Sequence, residues 1–374
     1  MEKKLKILFM LAILLIIGCK ESFNPKVTST NNNLLVVEGF INTGTDSTFI
    51  KLSRTVVIAN KNTVNPETGA TVTIESEANE SYLLKEEIPG VYNAPPLNLN
   101  ATKKYRINIK TTKGVNYLSS FIEAKVSPPI DNVGYEIRSN GVQLHVSTHD
   151  SNNKTIFYRW EFEDAWIFYA KNKSNLIYKP GQGIVSRQAT LENIYQCWGS
   201  GKSNAIILGS SAKLSQDVIH QSPLILIPSN SEKLEEKYSI LVKQYALTKE
   251  AYDFWENLRK NTENLGSIFD AQPSQLTGNV HNTADTSEPV IGFIGAGTIQ
   301  QQRIYVTNDK LPNWIATFPY DCGTPEEVLP AFYYRFNDGT FIPIEFSSNG
   351  ITGTRRECAD CTLRGANKKP NFWQ

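Results

Sequence analysis

Short segments in which apolar and polar residues alternate are the feature that most restricts the fold of this chain. The clearest is KYRINIK, where Tyr105, Ile107 and Ile109 alternate with polar residues. A period of two residues is that of a β-strand with one buried and one exposed face. About seven such segments lie between Leu34 and Val126, separated by turn residues. They predict a β-sandwich of immunoglobulin or transthyretin type over residues 34–127.

A second unit is expected after Ser127, where Pro128 and Pro129 interrupt both helix and strand patterns. A chain of 374 residues is also longer than one hydrophobic core usually serves. Strand patterns resume at once, and in YRWEFEDAW the side chains of Tyr158, Trp160 and Phe162 are expected to point into a core. Residues 128–374 are therefore predicted to form a β-rich α+β domain.

That second unit contains one convincing helix, from Lys249 to Glu263. Ala251, Phe254, Trp255 and Leu258 recur at helical spacing, and Thr248 is the expected N-cap. The strand and helix patterns are weaker at residues 171–221, which are predicted to be a long loop region. The sequence GFIGAG at 292–297 is predicted to be a β-turn rather than a nucleotide-binding loop. The predicted fold class is thus mainly β, with one main helix.

The first 33 residues have the composition of an export signal followed by a tether. Lysines precede an apolar run at residues 8–17, which is shorter than the about 20 residues that a membrane-spanning helix needs. The sequence IIGC, ending at Cys19, matches a lipobox. We expect residues 1–18 to be a lipoprotein signal peptide, Cys19 to carry lipid, and residues 19–33 to form a flexible tether. Lys20 and Glu21 resemble a surface-export signal, so we expect the body to lie on the outer face of an outer membrane.

Four further cysteines remain once Cys19 is assigned to lipid. They are Cys197, Cys322, Cys358 and Cys361. An even number in an exported chain predicts two disulfides, and the sequence leaves all three pairings open. A zinc site is the rival interpretation, because the last two form a C-x-x-C motif, but no second close pair accompanies it. A redox role is the third interpretation, although no βαβ pattern surrounds the motif.

Charge and motifs argue against several classes of function. Lys and Arg total 38 against 37 Asp and Glu, so no basic excess favours a nucleic-acid partner. The four histidines form no metal-binding motif, and no G-x-S-x-G nucleophile elbow is present. We expect no catalytic residues, no metal and no cofactor.

Two groups of side chains are candidates for binding or catalysis. Glu161, Glu163 and Asp164 form an acidic patch that could serve a glycoside hydrolase, although a solvated strand face neutralised by Arg159 is the better explanation. The second group could line a sugar or peptide platform if exposed together, and would otherwise be core. Its members are Trp166, Tyr169, Trp198 and Trp314.

Several long motifs resemble one known family. They are LVVEG at 35–39, YRWEFEDAW at 158–166, the run VKQYALTKEAYDFWENLRKNTENLGSIFDAQPSQLTGNV, and the ending CADCTLRGANKKPNFW at 358–373. The mature chain resembles the Bacteroidota lipoproteins that carry the domain of unknown function numbered 4249. That family's position beside TonB-dependent outer-membrane receptors implies an accessory role in uptake, and it implies no catalytic residues.

The sequence therefore predicts a non-enzymatic, surface-exposed outer-membrane lipoprotein. It would act as an accessory ligand-binding or docking component of a TonB-dependent, SusCD-like nutrient uptake system, with the TonB-dependent receptor as its partner. The alternatives are a surface hydrolase acting on peptide or glycan, and a structural component of envelope assembly.

Overall fold

The computed structural model describes residues 33–56, 65–188, 190–263 and 278–373. The predicted signal peptide, Cys19 and all of the tether except its last residue lie outside these ranges. The predicted mainly β class is confirmed, since strands dominate and helices are few. Within the described ranges, no helix has the length and apolar character needed to cross a membrane.

Twenty-four strands are present in the described residues. The first twelve are β1 (Leu35–Asn42), β2 (Thr48–Arg54), β3 (Asn65–Pro66), β4 (Thr71–Ser76), β5 (Ser81–Ile88), β6 (Val91–Ala94), β7 (Lys104–Lys110), β8 (Asn116–Ser119), β9 (Ile122–Glu123), β10 (Ile130–Arg138), β11 (Gly141–His149) and β12 (Phe157–Tyr169). The others are β13 (Leu176–Lys179), β14 (Gly183–Ser186), β15 (Gln196–Lys202), β16 (Ile207–Ser210), β17 (Val218–Pro228), β18 (Lys237–Leu247), β19 (Val280–Asn282), β20 (Gly295–Gly297), β21 (Ile299–Thr307), β22 (Glu326–Val328), β23 (Phe341–Phe346) and β24 (Ile351–Arg355). The α-helices are α1 (Lys249–Glu263) and α2 (Arg356–Ala359), and short 3-10 helices occupy Glu232–Leu234, Asn308–Lys310, Pro330–Phe336 and Cys361–Leu363.

The first sheet has eleven strands and curls as half a barrel around one core. Its order is β19-β8-β7-β4-β5-β6-β2-β1-β20, with β3 beside β2 and β9 beside β7. The alternation in the sequence sets its two faces, because Tyr105, Ile107 and Ile109 on β7 are at most 1% exposed. The strands predicted from residue 34 onward are thereby confirmed.

The chain returns to this first sheet after α1. β19 pairs with β8, and β20 pairs in parallel with β1, so both ends of the sheet are built from residues beyond 279. The β-turn predicted at residues 292–297 is therefore wrong for Gly295–Gly297, which is a strand. Gly292, at φ +126°, passes so close to β1 that a Cβ would lie 1.9 Å from the carbonyl oxygen of Val37. The predicted domain boundary between residues 127 and 128 stays a prediction. The structure shows in addition that residues beyond 279 return to the first sheet.

Two further sheets pack face to face around a second core. One has the order β10-β11-β17, and the other, here called the large sheet, has the order β15-β12-β18-β21 with β16 also beside β12. Tyr158, Trp160 and Phe162 on β12 are at most 6% exposed and face this core, as predicted. The opposite face of the large sheet, here called its outer face, does not contribute to this core and contacts other parts of the chain.

The long loop predicted at residues 171–221 is wrong, because the segment contains β13 to β16 and the start of β17. β13 and β14 form a hairpin whose residues are mostly half-buried. Buried and exposed positions therefore do not alternate as they do in a strand with one exposed face. Strands of this kind depend on neighbouring segments for burial, so their own sequence carries a weak signal.

Helix α1 has the bounds predicted from its sequence, Lys249 and Glu263. Thr248 acts as its cap, since the Thr248 hydroxyl accepts a hydrogen bond of 3.2 Å from the backbone N–H of Ala251. Ala251 and Phe254 are buried. The helix thus stands between the first sheet and the outer face of the large sheet.

Two disulfides bind the C-terminal part of the chain, as predicted. Cys197 on β15 is bonded to Cys361, and Cys322 is bonded to Cys358, with Cα–Cα distances of 5.8 Å and 5.7 Å. The two cysteines of the C-x-x-C motif therefore belong to different bridges. The first bridge joins the large sheet to the 3-10 helix Cys361–Leu363, and the second joins α2 to the segment that precedes β22.

Candidate functional site

Two cavities of about 860 Å³ each border α1. The one that touches Trp255 and Leu258, here called the cleft, is the candidate site, because aromatic rings and polar side chains converge in it. Its walls come from β1 and β2 of the first sheet, from the outer face of the large sheet, and from α1. A concave, partly apolar surface with a few placed polar groups is typical of small-molecule sites.

Arg159 and Glu161 on the odd-numbered face of β12 form the floor of the cleft. Because the even positions fill the core, Arg159, Glu161 and Glu163 lie on the opposite side. The guanidinium of Arg159 donates to Glu161 at 2.7 Å, and its carbon lies 4.6 Å from the ring centre of Tyr245 and 4.2 Å from that of Trp255. Cation–π contacts on both sides fix this side chain between the large sheet and α1.

Four rings cross the cleft from the first sheet to the helix, and we call them the aromatic strip. Its members are Phe49, Phe40, Tyr245 and Trp255. Phe40 and Phe49 are direct cross-strand neighbours on β1 and β2, and the rings of Phe40 and Tyr245 meet edge to face at 5.0 Å. Phe49 is 51% exposed, whereas Tyr245 is 6% exposed. The strip therefore runs from an open rim to a closed floor.

Polar side chains beside the aromatic strip are already paired with one another. The hydroxyl of Tyr245 donates to Glu161 at 2.9 Å, and the ammonium of Lys243 donates to Glu163 at 2.8 Å. At the rim, the amide of Gln301 donates to Asp46 at 3.1 Å. Acids and bases are nearly balanced, so the lining is polar without a strong charge.

The protonation of these groups suits hydrogen bonding better than proton transfer. Burial opposes ionisation of Glu163, but the hydrogen bond from Lys243, with the nearby Lys202 and Arg303 charges, outweighs it and holds the pKa of Glu163 below its ordinary value. Burial, together with the Glu161 charge, raises the pKa of Tyr245 above its ordinary value. A general acid needs a carboxyl pKa that is raised, which is the reverse of the shift at Glu163.

The acidic patch predicted at residues 161–164 is divided by the sheet. Asp164 lies on the even-numbered face, 3% exposed, where it pairs with Lys233 and accepts a hydrogen bond of 3.1 Å from Tyr238. It therefore does not share a surface with Glu161 and Glu163, because adjacent residues of a strand point to opposite sides.

The four aromatic residues predicted as a platform also lie on two faces. Trp166 and Trp314 pack against the core between the two sheets, while Tyr169 and Trp198 pack with Trp373 on the opposite side. All four are half-buried. Two of them thus pack against each cluster, and no single surface holds the set.

Sequence reasoning missed the rings that line the cleft. Phe49 falls on the polar face of β2, between Thr48 and Ile50, and an aromatic residue on the polar face of a strand is the signal that could have found it. Trp255 belongs to the apolar stripe that predicted α1, and the structure places it half-buried at the edge of that stripe, in the lining of the cleft.

Fold and site together define a mainly β chain of several sheets, with a disulfide-bonded C-terminal part and an aromatic cleft beside its main helix. The chain belongs to the family of the domain of unknown function DUF4249, whose model matches residues 20–303. The matched span contains every residue that lines the cleft and ends before the motif at 358–373. No curated protein matches the chain.

Proposed function

We propose that this chain is a non-enzymatic lipoprotein, anchored through Cys19 to the outer membrane and exposed at the cell surface. In this proposal it binds or docks a ligand as an accessory component of a TonB-dependent, SusCD-like nutrient uptake system, and a TonB-dependent receptor is its partner. The lipobox at Cys19 supports the anchor, and the resemblance to lipoproteins found beside such receptors supports the partner.

The cleft is the observation that carries the ligand-binding part of the proposal. It measures about 860 Å³, which lies within the range of ligand sites, and it combines exposed aromatic surface with hydrogen-bonding groups. Its lining falls entirely within the span that defines the family.

The hydrolase alternative receives less support from the same residues. Glycoside hydrolysis uses two carboxyl groups, one of them with a raised pKa. Here Asp164 faces away from Glu161 and Glu163, and the pKa of Glu163 is lowered. A surface role without turnover therefore fits the geometry better.

Protease shaving of intact cells, combined with co-purification in mild detergent, tests the location and the partner. We expect the full chain, expressed at native level, to be digested from outside and to bring down a TonB-dependent barrel. The matched control is Cys19→Ala, which should abolish membrane attachment and co-purification while leaving the folded body intact.

Two outcomes would contradict the proposal. A chain that is protected from protease and purifies alone would instead support a role in envelope assembly. Turnover of a peptide or glycan that is lost in Glu161→Gln or Glu163→Gln would support the hydrolase.

A further inference from the structure

We infer that the cleft binds an uncharged oligosaccharide, with sugar rings stacked on Phe49, Phe40 and Trp255 of the aromatic strip and hydroxyl groups bonded to the polar side chains beside it. This inference rests on the ligand-binding half of the proposed function and names the chemical class of the ligand. It is independent of the receptor partner.

The aromatic strip supplies the stacking surface. A pyranose ring presents C–H groups on its faces, and these carry a small positive charge that complements the negative face of an aromatic ring. Phe49 is 51% exposed at the rim, and Phe40 and Trp255 are half-buried behind it. A ligand that enters over Phe49 would therefore meet Phe40 and then Trp255 on its way toward α1. Tyr245, which is 6% exposed and in contact with Arg159, is closed to stacking.

The ion pairs at the floor of the cleft disfavour ionic ligands there. The two cations of the floor are both paired, Arg159 with Glu161 at 2.7 Å and Lys243 with Glu163 at 2.8 Å. An anionic ligand would have to compete with these carboxylates, and a cationic ligand with these bases. Hydroxyl groups can bond to the same atoms without breaking the pairs, because a carboxylate has several acceptor positions and an ammonium has three donors.

The strands beneath the aromatic strip argue against an extended peptide bound along it. Peptides that add to a sheet need an edge strand with free backbone groups. β1 lies between β2 and β20, β12 lies between β16 and β18 at Arg159, and β18 lies between β12 and β21, so the strands that carry Phe40, Arg159 and Tyr245 have neighbours on both sides. β21, which carries Gln301 at the rim, is the last strand of the large sheet. Recognition along the aromatic strip must therefore come from side chains, which suits a ligand whose polar groups are peripheral hydroxyls.

Calorimetric titration of the full chain in mild detergent tests the inference. The probes are the uncharged hexasaccharides of cellulose, xylan, mannan and starch, with oligogalacturonate and a mixed decapeptide library as ionic and peptide comparators. We expect at least one uncharged hexasaccharide to bind and to change tryptophan fluorescence through Trp255. Phe49→Ala should weaken that binding by at least about fivefold, because it removes one stacking surface.

The matched control is Phe346→Ala, which removes a phenylalanine that is 65% exposed on β23, outside the cleft. It should leave the affinity unchanged. Binding of only the ionic or peptide probes, or binding that is equally strong in Phe49→Ala, would overturn the inference. If no probe binds although the barrel co-purifies, the inference fails while the docking role stands; loss of both removes the proposed function as well.

Discussion

At the scale of single residues, buried polar side chains fix where distant segments meet. Gln244 on β18 is fully buried, and its amide group donates to the carbonyl oxygen of Pro128 at 2.7 Å and accepts from the indole of Trp160 at 2.9 Å. One side chain thus holds the proline segment that follows the first sheet against the centre of β12. Nothing in the spacing of the sequence indicates this contact, because the partners lie 116 residues apart along the chain.

An exposed ion pair gives the chain one pH-dependent contact. His149 Nδ1 lies 2.8 Å from Asp131 on the neighbouring strand, and the hydrogen bond from His149 to Asp131 raises the pKa of His149 above its ordinary value of 6.5. The stabilisation that this pair gives to the folded chain is therefore complete below the pKa of His149 in the unfolded state. It is lost as pH rises through the pKa of His149 in the folded state. We expect NMR titration to place the pKa of His149 above 6.5 in the native chain.

The Asp131→Asn variant should reduce this rise, because Asp131 supplies its largest causes, whereas Asp285→Asn should leave it in place, since Asp285 bonds Ser287. A His149 pKa at or below 6.5 in the native chain would contradict the pairing.

At the scale of elements, α1 is the piece that the sequence predicted best. Its stripe of apolar residues, its acidic first turn and its threonine cap all indicate the same bounds, so local sequence signals alone define its ends. β13 and β14 were missed for the opposite reason, because their half-buried residues gain burial only from segments distant in sequence. The cleft combines the two cases: its position follows from α1 and β12, but its rim depends on a pairing of β1 with β2 that brings Phe40 beside Phe49.

The cap of α1 should be measurable as stability. Thr248→Ala removes the acceptor for the N–H of Ala251, and we expect it to lower the free energy of unfolding by about 1 kcal/mol in urea denaturation. Thr248→Ser keeps the hydroxyl and should stay within about 0.5 kcal/mol of the native chain. Equal losses in the two variants would show that the methyl group, rather than the cap, stabilises this end of the helix.

At the scale of the whole molecule, the two disulfides act on loops of very different length. Cys197–Cys361 spans 164 residues and joins the large sheet to the C-terminal segment, whereas Cys322–Cys358 spans 36 residues within that segment. In the chain-entropy description the longer loop gives the larger stabilisation, by roughly 1 kcal/mol here. Replacing each pair by alanines, with Cys19 unchanged, should therefore lower the free energy of unfolding more for the first pair in guanidinium denaturation without reductant. The reverse order would mean that disrupted packing around Cys322 outweighs the entropy of the long loop.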